Sequence, residues 1–175
     1  INTLVNVCKK LKEKQLDKGN KNFQPSNLEF TGIYVDNKAH NVIPAKAKAQ
    51  FNIRYNNFHT AKSLKKKINT IVRNICKKNK CAFKIEYMAN GDSFLTKPEK
   101  TIFMAKKIIK KITKINPKFS TTGGTSDARF IRKIAPCLEF GLVNKTMHKV
   151  DECVSITDLR KLTDIYKNIL VEYFK

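Results

Sequence analysis

The residues best suited to chemistry lie in two segments near the C-terminus of this 175-residue chain. The first is Thr121-Thr122-Gly123-Gly124-Thr125-Ser126-Asp127-Ala128-Arg129-Phe130. Its glycines allow positive φ and leave backbone N–H groups uncovered. Thr122, Thr125 and Ser126 add hydroxyl donors, and Ser126 or Asp127 can cap the helix that follows. A helix N-terminus favours a bound anion, and Arg129 can fork onto a carboxylate. Two readings stand side by side: a carboxylate-binding loop, or an ordinary glycine turn before a capped helix. The second segment, Asn144 to Glu152, sets His148 in a polar, non-periodic loop. There His148 is either a metal ligand or a loop histidine bonded to backbone. Zinc needs three or four ligands, and only His40 and His59 are further histidines. No HxD, HExxH or pair of adjacent glutamates accompanies them. The chain reads as half of an active site.

The elements that must position these segments follow from periodicity. Residues 2–16 carry Leu4, Val5, Cys8, Leu11 and Leu16 at helical spacing, with Gly19 as the expected C-terminal cap. Leu28–Val35 reads as a strand. Residues 45–55 alternate: Ala45, Ala47, Ala49, Phe51, Ile53 and Tyr55 on one face, Lys46, Lys48, Gln50, Asn52 and Arg54 on the other. Such a two-faced strand belongs to an antiparallel sheet covered on one side. Arg54 lies on its polar face, and Asn41 falls in the turn leading into it. Thr60 caps an expected helix over 61–79, and Ala82–Met88 alternates as a further strand. Residues 1–90 therefore read α-β-β-α-β, a split βαβ (ferredoxin-like) unit lacking its first strand.

Asn90-Gly91-Asp92-Ser93 marks a break. The expected division is a domain at 1–92 and another at 93–175. In the second, Pro98 opens a helix to about Ile115. A shorter helix runs from Ser126 to Lys133, and Cys137–Phe140 reads as a short buried strand. Ser155-x-x-Asp158 opens a final helix with a stripe of Leu159, Leu162, Ile165, Tyr166, Ile169 and Leu170. This half is α/β in character.

The net charge of +22 comes from 36 Lys+Arg against 14 Asp+Glu, and 31 of the basic residues are lysine. Specific nucleic-acid binders gather basic residues on one face and mix in arginine and aromatics. Here lysine fills nearly every polar position. That matches compositional drift from an AT-rich genome, with non-specific polyanion binding as a side effect. The five cysteines show no CxxC or zinc-finger spacing. Their scatter favours reduced thiols in a cytosolic protein. Cys76 and Cys81 sit across a helix end, where spacing alone argues little for a metal. No run of 18 apolar residues and no signal peptide is visible. The start at Ile1, straight into a helical pattern, suggests a fragment or processed product.

In several stretches the chain resembles the bacterial succinyl-diaminopimelate desuccinylases of the zinc aminoacylase/carboxypeptidase superfamily. They are Asp17-Lys18-Gly19-Asn20, Asn41-Val42-Ile43-Pro44-Ala45, Gln50-Phe51-Asn52-Ile53-Arg54-Tyr55, Phe94-Leu95-Thr96-Lys97-Pro98, Gly123 through Ile131, and Glu139-Phe140-Gly141 through Val154. They occur in the family's order along essentially the whole chain. The last two are the most specific.

The resemblance implies a cytoplasmic, homodimeric hydrolase of lysine and diaminopimelate biosynthesis that uses two zinc ions, for which cobalt can substitute. It would cleave N-succinyl-LL-2,6-diaminopimelate to succinate and LL-2,6-diaminopimelate. By the same resemblance His148 is a zinc ligand. Gly124, Thr125 and Asn144 hold the succinyl carboxylate. Arg129 and Arg54 hold the diaminopimelate end, and Asn41 reaches the partner subunit's site. Residues 1–92 would be the dimerisation (lid) domain and 93–175 the C-terminal part of the catalytic domain.

This sequence departs from that pattern at its beginning. The family's HxD motif, bridging aspartate, adjacent glutamates with the general base, and lid-domain histidine all belong upstream of Ile1. His40 is not that histidine, and Asn90 stands where serine is common. No catalytic residue is expected within the chain, which alone should be inactive. The alternatives are a sibling deacylase, such as acetylornithine deacetylase, and a non-catalytic basic dimerisation or binding module. No membrane partner is implied.

Overall fold

The computed structural model describes residues 1–89, 91–123 and 126–175, and divides into two compact units, Ile1–Phe94 and Leu95–Lys175. The expected sites at Gly124 and Thr125, and the departure at Asn90, lie outside the described residues.

The first unit is a small α/β assembly of α1 (Asn2–Glu13), β1 (Asn27–Tyr34), β2 (Lys48–Arg54) and α2 (Ala61–Lys78). The strands pair antiparallel, with Leu28 opposite Ile53 and Phe30 opposite Phe51. An irregularity between Phe30 and Gly32 adds one residue to β1. Along β2 every second residue is shielded, as its alternation predicts. Phe51 and Ile53 turn toward the core while Gln50, Asn52 and Arg54 face outward. Phe30 and Phe51 meet edge to face at 5.9 Å. Val7 and Leu11 of α1, Leu28 of β1, and Ile68, Val72 and Cys76 of α2 form the core. Helix α2 starts where expected. Thr60 Oγ1 accepts the Ser63 N–H, and Ser63 Oγ accepts the Thr60 N–H, a reciprocal capping box.

Two elements differ from expectation. Helix α1 ends at Glu13 with an extended Lys14, so Gly19 is not its cap. Gly19 has φ +70 because the chain turns there around the Asp17 carboxylate, which accepts the Gly19 N–H at 2.7 Å. A Cβ at Gly19 would lie 2.7 Å from the Phe23 carbonyl oxygen. Ala82–Met88 is not a strand among the described residues. Its side chains still alternate, with Ile85 and Tyr87 packed on the core. A strand also needs ladder hydrogen bonds from a neighbour, and the described sheet has only β1 and β2.

Asp17 joins the pieces. Ser26 N–H donates to its two oxygens at 3.3 and 3.2 Å, and Asn56 Nδ2 donates at 2.6 Å. Asn56 is itself buried, and its N–H reaches Ser26 Oγ at 3.0 Å. His59 Nε2 lies 3.2 Å from Asp17 Oδ2, close enough for an ion pair when protonated but without hydrogen-bond geometry. The loop after α1 is thereby pinned to the turn between β2 and α2. On the same β2–α2 turn, Asp92 Oδ1 accepts from Tyr55 Oη at 2.8 Å and from the Ala61 N–H at 3.0 Å. Burial and this bond push the Tyr55 hydroxyl up to about 12.

The second unit holds α3 (Lys100–Thr113), α4 (Ala128–Ile131) and α5 (Ile156–Tyr173). Helix α3 packs on α5, burying Ile102, Ala105 and Ile109 on one side and Ile165 on the other. Pro98 precedes the N-cap Glu99 instead of sitting in the first turn, and Lys114 ends α3 in the left-handed region, φ 61. Helix α4 is shorter than the expected 126–133. Cys137–Phe140 forms no strand, for the same want of a ladder partner among the described residues. Tyr166 Oη bonds the Phe140 carbonyl instead. Of the α5 stripe only Ile165 is buried, while Leu159, Tyr166 and Leu170 are exposed. One neighbouring helix covers one side of α5 and leaves the rest in solvent.

Burial raises the Asp17 carboxyl, but its hydrogen bonds from Ser26, Gly19 and Asn56 outweigh this and hold it at about 2, against 3.8 for an unperturbed aspartate. A depressed carboxyl stabilises the fold above its unfolded pKa and loses that contribution as pH falls through its folded one. Asp17→Asn should therefore cost about 2 kcal/mol at pH 7. Denaturant titrations should show the gap to the parent chain shrinking from near pH 4 down to pH 2. A gap independent of pH would show that the carboxylate charge contributes nothing.

Candidate functional site

The candidate residues divide between the two units. Arg54 and Asn41 belong to the first. Arg54 stands opposite Asn27 at the end of β2, exposed on its polar face. Asn41 is exposed in the loop before β2. That loop is held by Asn37, whose Nδ2 donates to the Val42 carbonyl at 2.7 Å and whose Oδ1 accepts the Ala39 N–H at 3.3 Å.

Arg129, Asn144 and His148 belong to the second unit. Arg129 lies on α4, its guanidinium 4.8 Å from the centre of the Phe130 ring. Its Nε is buried and has no hydrogen-bond partner among the described residues. A buried guanidinium N–H is costly to leave unpaired, so this atom suits an incoming carboxylate. Of the two cap candidates before α4, Ser126 is the one that acts. Its Oγ accepts the Ala128 N–H at 3.1 Å, whereas Asp127 makes no side-chain cap. Among the described residues a Cβ on Gly123 would meet only Glu139 Oε2, at 3.8 Å.

Asn144 and His148 share one loop. The Asn144 carbonyl accepts the Met147 N–H at 3.3 Å, and the Thr146 carbonyl accepts the Lys149 N–H at 3.0 Å. The Thr146 hydroxyl closes the loop by donating to the Cys153 carbonyl at 2.8 Å and accepting the Cys153 N–H at 3.1 Å. His148 takes φ 63 and Asp151 φ 59, left-handed values that cost a non-glycine residue energy. Glu152 Oε2 holds the first of these turns by accepting the His148 N–H at 3.2 Å. The histidine ring is thus presented to solvent from a loop fastened on both sides.

A metal centre needs more than this loop. Among the described residues no group of three or more His, Cys, Asp or Glu side chains is placed to hold a metal ion. His148 offers one ligand and the described residues do not complete a zinc site around it. No helix among them is long and apolar enough to cross a membrane.

Residues 1–80 match the family described as the peptidase dimerisation domain. The chain is 62% identical over 172 residues to succinyl-diaminopimelate desuccinylase of Pelagibacter ubique, covering 98% of this chain and 45% of that protein. Nearly the whole of the chain is thus similar to part of a desuccinylase. It is 46% identical over 169 residues to the protein of the same name from Rickettsia bellii, covering 97% of this chain and 43% of that one. Against the Bradyrhizobium diazoefficiens protein, again of that name, identity is 48% over 164 residues, with 94% and 42% covered. The chain spans less than half the length of these curated relatives.

Sequence patterns missed the residues that build the loops around those candidates. Asn37 carries the usual Asx-turn signal and could have been found. Thr146 and Glu152 lie in the stretch that carries the family resemblance, but their bonds are set by backbone turns that no periodicity encodes. Thr146→Val keeps the shape and removes both hydroxyl bonds. Amide exchange at Cys153 and His148 should quicken on the order of tenfold, the scale of one lost hydrogen bond. Unchanged exchange would mean that the loop is held by other contacts.

Proposed function

We propose that this chain is the lid domain and the C-terminal catalytic part of a zinc-dependent amidohydrolase. Its reaction is hydrolysis of N-succinyl-LL-2,6-diaminopimelate to succinate and LL-2,6-diaminopimelate, in cytoplasmic lysine and diaminopimelate biosynthesis. The observation that carries this reading is the 62% identity to a succinyl-diaminopimelate desuccinylase along 98% of the chain. The loop that presents His148, and an Arg129 Nε with no hydrogen-bond partner among the described residues, agree with it.

In this reading residues 1–92 form a ferredoxin-like dimerisation domain lacking its first strand, and residues 93–175 belong to the catalytic domain. The homodimer forms through 1–92. His148 is one zinc ligand. The other ligands and the general base belong to the part of the relatives that this chain does not span. Zinc, when bound there, supplies a Lewis acid and an activated water; cobalt can take its place.

The chain's own residues handle the substrate's charges. Succinate and diaminopimelate both carry carboxylates, and each needs a fixed cationic or N–H partner once out of water. Arg129 and Arg54 pair with the diaminopimelate end. Gly124, Thr125 and Asn144 hold the succinyl carboxylate, and Asn41 extends toward the partner subunit's site. A carboxylate gripped at each end fixes the amide between them, so that water adds to a carbonyl already in register.

The test uses a protein of the relatives' length that carries this sequence, assayed with succinyl- and acetyl-substituted substrates. The succinyl substrate should be strongly preferred. His148→Ala should lower kcat/KM by more than about a hundredfold. Arg129→Lys should raise KM by about ten- to a hundredfold. The 175-residue chain alone should show no turnover. Preference for an acetyl substrate would overturn the substrate assignment, and full turnover by the chain alone would overturn the division of the site.

A further inference from the structure

The C-terminus of α2 brings two cysteines together by backbone geometry. Lys80 takes φ 47, the left-handed conformation that ends many helices. The Lys80 N–H then reaches the Lys77 carbonyl at 3.3 Å, and the Cys81 N–H reaches back to the Cys76 carbonyl at 3.1 Å. These are the paired bonds of a Schellman motif. In that motif the residue just past the left-handed position lies against the one in the helix's last turn. Here both are cysteine, and the two thiols are near enough to interact.

The two differ in a useful way. Cys76 is buried in the core of the first unit, with Ile85 and Tyr87 packed against the same cluster. Burial and the contact with Cys81 push its thiol up to about 11. Cys81 is exposed. Cys8, Cys137 and Cys153 are also free thiols, but no described contact joins any of them to another cysteine. A disulfide needs close α-carbons and side chains that point together, and the Cys81–Cys76 backbone bond supplies the first condition. A zinc site would need a third ligand, and the described residues offer none.

We propose that Cys76 and Cys81 form a reversible dithiol–disulfide site at the end of α2, oxidised by a small-molecule disulfide. The exposed Cys81 thiolate attacks one sulfur of the oxidant R–S–S–R. One R–S⁻ leaves and takes up the Cys81 proton, and a mixed disulfide Cys81–S–S–R forms. Cys76 gives up its proton and attacks the Cys81 sulfur, expelling the second R–SH. Two protein thiols are oxidised by two electrons, and the small disulfide is reduced to two thiols. The product fastens the end of α2 to the segment that carries Ile85 and Tyr87 into the core.

The experiment exposes the folded chain to oxidised glutathione and follows it by intact mass and peptide mapping after thiol blocking. The expected result is loss of two hydrogens with a Cys76–Cys81 link and no glutathione retained at that pair, reversed by dithiothreitol. Cys81→Ser, a change at an exposed position, should abolish the link and leave Cys76 at least tenfold slower to label than Cys153. In Cys76→Ser, Cys81 should stop at the mixed disulfide. A stable glutathione adduct on Cys81 of the parent chain, or an internal link among the other cysteines in its place, would overturn the proposal. Because the parent chain is mapped directly, the result stands even if Cys76→Ser fails to fold.

Discussion

The burial of one carboxylate organises the first unit. Asp17 sits among Gly19, Ser26, Asn56 and His59, drawn from the loop after α1 and from the turn between β2 and α2. A buried charge is tolerated only when its lone pairs are filled, and backbone and amide donors fill them. The positive φ of Gly19 and the burial of Asn56 follow from this arrangement. Fixing that loop sets where β1 begins, and β1 sets the register of β2, at whose end Arg54 stands.

The second unit holds its candidate residues differently. Helices α3 and α5 share a narrow apolar contact, while the functional segments are loops fastened by single side chains. Thr146 clasps the two ends of the histidine loop, Glu152 holds the turn at His148, and Ser126 starts α4. Each fastening is a local polar bond near solvent, so the loops are positioned without being buried. Among the described residues no set of metal-ligating side chains surrounds His148.

What the sequence revealed follows the range of the interaction. Thr60 and its partner Ser63 are three residues apart, and the α2 start is readable. Phe51 and Ile53 alternate with polar neighbours, and the two-faced β2 is readable. Ala82–Met88 and Cys137–Phe140 have strand-like patterns, but a strand depends on a partner that local pattern cannot supply. Gly19 was legible as a positive-φ position and not as a turn around Asp17, because Asn56 joins that cluster from 39 residues away. The candidate residues were singled out by type and by family resemblance. The break expected at residues 90–93 already set Asn41 and Arg54 apart from Arg129, Asn144 and His148; the hydrogen bonds that fasten their loops were not legible, since spacing along the chain carries no distance in space.

In the proposed function this chain contributes one metal ligand and the substrate-holding residues, and not a whole metal centre. Zinc content of the isolated 175-residue chain tests it most directly, measured by elemental mass spectrometry after loading and exhaustive dialysis, beside His148→Ala. No zinc should be retained through His148, so the two samples should match. One or two zinc ions held per parent chain and lost on His148→Ala would contradict it.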